Sequence, residues 1–126
     1  METENREPQK NKGIVRLLKA CRYSYDGFKC AFKNEAAFRQ ELLVCLPLTV
    51  LVFVLNFTAL MRLILILSML GLLIVELLNS AVEECVNLAS PEIHPLAKRA
   101  KDMASAAVSL SLVCVSIAWI FALLSL

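Results

Sequence analysis

Glycine is scarce: only Gly13, Gly27 and Gly71 occur in 126 residues. Three scattered glycines cannot build a G-x-x-x-x-G-K-[ST] loop or a kinase-type glycine-rich loop, so neither common phosphate cradle is present. Charge is scarce too, at 19% of residues against about 25% in an average soluble domain, and residues 103–126 carry none. With 59% apolar residues and a mean hydropathy of +0.69, this excludes an ordinary soluble globule, a disordered tail and a secreted disulfide scaffold. The length allows one domain and excludes a multi-domain kinase, a Rossmann enzyme or a large transporter in one chain. A net charge of +2 is too small to argue for a nucleic-acid partner. The five cysteines, Cys21, Cys30, Cys45, Cys85 and Cys114, are odd in number and show no metal or redox spacing, so they read as small reduced side chains. The opening METENREPQK is polar, and no cleavable signal peptide is expected.

What the chain does have is three long apolar stretches, about 42–60, 63–82 and 103–124. Each is about 20 residues, which at 1.5 Å per residue matches a hydrocarbon core about 30 Å thick. Backbone polar groups cannot go unpaired in lipid, so the spans are predicted to be helices. Pro47 falls early in the first and is a candidate kink. Nine of the 13 Lys and Arg lie before residue 42: Arg6, Lys10, Lys12, Arg16, Lys19, Arg22, Lys29, Lys33 and Arg39. The stretch between the first two spans carries only Arg62, that between the second and third carries Lys98, Arg99 and Lys101, and the tail carries none. The positive-inside rule then predicts a cytoplasmic N-terminus and second loop, with the C-terminus outside. The expected fold is an all-α membrane protein.

A polar tail over 1–12 precedes an amphipathic region over 13–40 and a transmembrane domain over 41–126. In the amphipathic region Ile14, Leu18, Cys21, Tyr25, Phe28 and Phe32 recur at spacings of four and three, with Arg16, Lys19, Arg22, Lys29 and Lys33 between them. That pattern predicts a basic helix lying along the membrane surface, as an anchor or as the roof of an interfacial site. Asp26-Gly27 is expected to interrupt it.

Polar residues stand where the second span should be apolar. Glu76, Asn79, Ser80 and Glu83 are spaced i, i+3, i+4 and i+7, which places them on one helix face. Glu83 is near the boundary, and Glu76 is about 10 Å deeper. An ionisable group at that depth costs at least ~2.5–3.5 kcal/mol, which marks Glu76 as a functional-site candidate, the alternative being an inter-helix hydrogen bond. Glu35, just before the first span, and Glu83 supply two carboxylates at one boundary, and Mg²⁺ is typically held by one or two carboxylates plus substrate phosphates. Lys98, Lys101, Asp102 and Ser105 share a face at the start of the third span, either as a site or as a cluster facing lipid headgroups. His94 taken alone is a loop histidine, and Trp119 falls where an interfacial belt residue is expected. A cation, nearby basic groups and a deeper carboxylate base together suit phosphoryl transfer to a lipid hydroxyl. The residues alone do not name ATP.

The segments YSYDGFKCAF (23–32), NEAAFRQE (34–41), VELLNSAVE (75–83) and RAKDMASAAV (99–108) closely resemble the small prokaryotic diacylglycerol kinase family, over roughly residues 13–123. The resemblance implies an ATP-dependent lipid kinase working with Mg²⁺, as a homotrimer with active sites between protomers in the bacterial inner membrane. It implies that Glu76 is the general base, that Glu35 and Glu83 hold the metal, and that Asn79 supports that face. It implies nucleotide contacts at Arg16, Tyr23, Glu35, Glu83, Glu92, His94, Lys101 and Asp102. It implies a lipid site lined by Ala37, Phe38, Arg39, Gln40, Glu41, Glu76, Ser105 and Trp119. Asn87 stands where many relatives carry Asp, and Ala104 where Gly is common. HPLAKRAKD resembles the branch that phosphorylates undecaprenol, whereas NEAAFRQE resembles the diacylglycerol branch. The alternatives are therefore an undecaprenol kinase of the same family, a small proton-coupled exporter using Glu76 as carrier, and a structural membrane subunit.

Overall fold

The computed structural model describes residues 12–126. Most of the expected polar tail, with Arg6 and Lys10, lies outside that range. The described residues form four helices and no strand: α1 (Ile14–Asn34), α2 (Ala36–Val54), α3 (Ala59–Ala89) and α4 (Pro95–Leu124). The last three are long and apolar enough to cross a membrane.

The helix starts follow from capping chemistry. The Thr58 side chain accepts a hydrogen bond from the Met61 N–H (3.2 Å) at the head of α3. At the head of α4, Nδ1 of His94 accepts from the Leu96 N–H (3.1 Å), and Pro95 sits where its missing N–H costs nothing. Within the spans, hydroxyls find partners on their own helix: Thr49 donates to Cys45 O, Ser111 to Ala107 O and Ser116 to Leu112 O. That satisfies them where no water is at hand. α2 runs unbroken through Pro47.

α1 is continuous through Asp26-Gly27, contrary to the expected interruption there. One mid-helix glycine costs about 1 kcal/mol, which the surrounding helix-forming residues outweigh. The break comes instead at Glu35, whose extended backbone (φ −110°, ψ 105°) ends α1 and begins α2. Arg39 fixes this corner: its Nη1 donates to the carbonyls of Phe32 (2.8 Å) and Lys33 (3.0 Å), two of the acceptors left open at the end of α1. At the opposite end of the bundle Arg62 does the same for α2, donating to Val52 O (3.1 Å) and Leu55 O (3.4 Å).

α3 packs chiefly on α4, then on α2, and α1 touches mainly α2. Cys45, Val52, Phe57, Leu65, Met69, Leu72, Trp119 and Ala122 form the core. Most other apolar side chains are exposed on the single chain, among them Leu43, Leu46, Val50, Leu70 and Ile74. Such a surface needs lipid or further copies against it. α3 and α4 are about 46 and 45 Å long, well beyond the hydrocarbon thickness, so both continue past their apolar stretches into polar sequence. α3 carries Glu83, Glu84 and Asn87 on this extension, and α4 carries Lys98, Lys101 and Asp102.

Candidate functional site

The polar face of α3 is turned inward. Glu76 is 3% exposed and Ser80 8%, while Asn79 and Glu83 are half-buried. Among the described residues, Oδ1 of Asn79 and Oγ of Ser80 are buried with no hydrogen-bond partner. Leaving such atoms unpaired costs about 1–3 kcal/mol each, so this face is built for something the single chain does not supply. From α2, Glu41 stands beside Glu76, and its Oε2 too is buried with no hydrogen-bond partner among the described residues.

Glu35 lies at the α1–α2 corner, half-buried, next to this face. Burial pushes its carboxyl above the ordinary 4.5, and the charges of Glu83, Glu84 and Glu76 push it further against the smaller opposing pull of Arg39. Such a concentration of negative charge is what a divalent cation relieves. Among the described residues no three His, Cys, Asp or Glu side chains close into a cage. The donor set therefore fits a cation held by one or two carboxylates and completed by ligand oxygens, the habit of Mg²⁺ with phosphates. Between α1 and α3 a cavity of about 380 Å³ runs from Ser24 and Phe28 to Glu35, Ser80 and Glu84.

A second cavity, of about 280 Å³, lies where α3 and α4 meet. Glu92, His94, Lys98, Lys101 and Asp102 all line it, so four residues expected to contact nucleotide come together there. Lys98 Nζ pairs with Asp102 (2.6 Å), and Lys101 Nζ donates to Oδ1 of Asn87 (2.6 Å). Arg16 and Tyr23 are exposed on the first half of α1 and are not part of this cluster in the single chain.

The expected lipid-lining residues divide. Gln40, Glu41 and Trp119 share an apolar groove of about 470 Å³ between α2 and α4, with Val44, Leu112 and Ser116. Phe38 is buried at the base of α2, and Arg39 is committed to the α1 carbonyls. Ala37 and Ser105 are exposed outside the groove. Trp119 is not an outward belt residue: it is 8% exposed, edge-on to Phe57 with ring centroids 6.1 Å apart.

Three neighbours escaped the sequence: Glu41 beside Glu76, Glu84 beside Glu35, and Asn87 beside Lys101. Asn87 was open to detection, since residues 76, 80, 83 and 87 follow one helical face. The other two depend on how α2 and α1 are set against α3.

Fold and site together define a small polytopic helical membrane protein with buried carboxylates leading to a polar, lysine-bearing end of the bundle. The family model for prokaryotic diacylglycerol kinase matches residues 22–123. The chain is 44% identical over 107 residues to the diacylglycerol kinase of Escherichia coli K12, covering 85% of this chain and 88% of that protein. It is 46% identical over 112 residues to the Helicobacter pylori 26695 diacylglycerol kinase (89% and 88% covered). It is also 46% identical over 107 residues to that of Pseudomonas aeruginosa PAO1 (85% and 87%). The chain belongs to the prokaryotic diacylglycerol kinase family.

Proposed function

We propose that the chain transfers the γ-phosphate of Mg·ATP to the free hydroxyl of diacylglycerol, giving phosphatidate and ADP. The observation that carries this reading is Glu76, 3% exposed within a membrane-spanning helix and two turns from Glu83 on the same face. The Glu76 carboxylate accepts the hydroxyl proton as the lipid oxygen bonds to the γ-phosphorus and the bond from that phosphorus to the ADP oxygen breaks. Glu35 and Glu83 hold the cation, which when bound offsets charge on the transferring phosphoryl group. Asn79 supports this face. Lys101, Asp102, His94 and Glu92 contact the nucleotide, and Arg16 and Tyr23 join them from α1. The lipid lies along Ala37, Phe38, Arg39, Gln40 and Glu41 and reaches Ser105 and Trp119, a placement supported by the groove that Gln40, Glu41 and Trp119 share.

Three copies surround each set of sites, which accounts for the exposed apolar faces and for the unpartnered Asn79 and Ser80. α1 lies along the surface of the inner membrane. The N-terminus and the α3–α4 connection face the cytoplasm, and the C-terminus faces out.

The test is phosphoryl transfer by purified protein in mixed micelles, with Mg²⁺, γ-labelled ATP and each lipid offered separately. Label on diacylglycerol supports the proposal. Label on undecaprenol alone keeps the chemistry and changes the substrate. Label on neither, from folded protein, overturns it.

A further inference from the structure

The cavity at the junction of α3 and α4 holds two lysines that are treated differently. Lys98 faces the Asp102 carboxylate at 2.6 Å, so its charge is matched. Lys101, half-buried, crosses from α4 to α3 and donates to the amide oxygen of Asn87, also at 2.6 Å. An amide oxygen fixes one of the three ammonium N–H groups and leaves two for another ligand. It also leaves the positive charge uncancelled, and among the described residues Lys101 makes no ion pair. Asn87 stands one turn beyond Glu83 on the same face of α3. A carboxylate at 87 would cancel the ammonium and place a second negative charge beside Glu83.

We propose that Asn87 is a positioning residue for nucleotide binding: its neutral side chain anchors the Lys101 ammonium, with its full charge, at the α3–α4 cavity. This rests on the kinase reading above and adds to it a residue with a defined task. A lysine loses rotamer entropy on being fixed. In the free protein Asn87 has already restricted that freedom, so the nucleotide meets an ordered cation.

The test measures binding of a non-hydrolysable Mg·ATP analogue to the full chain in micelles, by competition against a fluorescent nucleotide so that weak affinities remain readable. Asn87→Ala, which loses the anchor, is expected to weaken binding about fivefold, the scale of one hydrogen bond. Asn87→Asp, which keeps the anchor and cancels the charge, is expected to weaken it by a similar factor at low salt, with the loss fading as salt screens the pair. In the Lys101→Ala background both changes should leave affinity within twofold, because Asn87 acts through Lys101. Equal losses with and without Lys101, or no loss in Asn87→Ala, would overturn the assignment. A merely structural clasp between α3 and α4 would lower the thermal midpoint of Asn87→Ala while leaving affinity unchanged, which also counts against it. A wild-type chain that phosphorylates diacylglycerol yet shows no effect at Asn87 sinks this inference alone. A wild-type chain that binds no nucleotide sinks it together with the kinase reading.

Discussion

Glu35 sets the behaviour of the site at the scale of single residues. Burial first, and then Glu83, Glu84 and Glu76, hold its carboxyl above 4.5. In the proposed metal site a proton and a cation would compete for it, and cation binding would release that proton. The Mg²⁺ concentration for half-maximal activity should therefore rise as pH falls through the raised Glu35 value, and Glu35→Gln should remove that part of the pH dependence. The stability sign is the reverse. Without metal, the contribution of Glu35 is fully present below the unfolded value and is lost as pH rises through the folded one. Melting curves with and without Mg²⁺ should therefore diverge with rising pH. Glu41 makes a second residue-scale test through its place beside Glu76. Glu41→Gln keeps a hydrogen-bonding group there and should cost less turnover than Glu41→Ala, measured by initial rates. Of these groups, the shared face of Glu76 and Glu83 was legible from their i, i+7 spacing alone. The approach of Glu41 to Glu76 was not legible, because it depends on the register between α2 and α3.

The elements were legible to different degrees, for the same reason. Three helices long and apolar enough to span follow from length and apolarity, but the first, expected over 42–60, runs Ala36–Val54, so its start falls inside the stretch assigned to the amphipathic region and its end comes before Thr58, which caps α3. The corner was misplaced. Asp26-Gly27 has the composition of a break, but the cost of one glycine is small, and α1 passes through it. The actual corner at Glu35 is held by Arg39 reaching back seven and six residues to Phe32 and Lys33, a tertiary contact with no local pattern. Arg39→Ala should loosen the end of α1 by about 1 kcal/mol, seen as amide exchange about fivefold faster over 31–35. Arg39→Lys, whose side chain reaches one atom less far, should restore only part of that protection. Unchanged exchange in Arg39→Ala would mean that packing of α1 on α2, and not this cap, makes the corner.

At the scale of the molecule, the single chain leaves much apolar surface uncovered. Its bundle buries a small core and leaves wide apolar faces, together with inward polar atoms on Asn79 and Ser80 that have no partner. On the proposed assembly, three copies should be found by light scattering in mild detergent, and Asn79→Leu should disturb assembly or activity more than an exposed substitution such as Leu70→Ala. Composition and charge pattern announced a membrane protein, and the resemblance of four short segments announced the family. Neither could show that α3 and α4 run on beyond the membrane to join Asn87 and Lys101, because that depends on how the two helices are aligned.

The most direct test is of Glu76. Glu76→Gln, reconstituted in bilayers, should lower the turnover of diacylglycerol phosphorylation by about 10²–10⁴-fold, the usual worth of a general base. Affinity for the Mg·ATP analogue should stay within twofold of wild type. A Glu76→Gln protein that keeps most of its turnover would contradict the assignment of Glu76 as the group that takes the lipid proton.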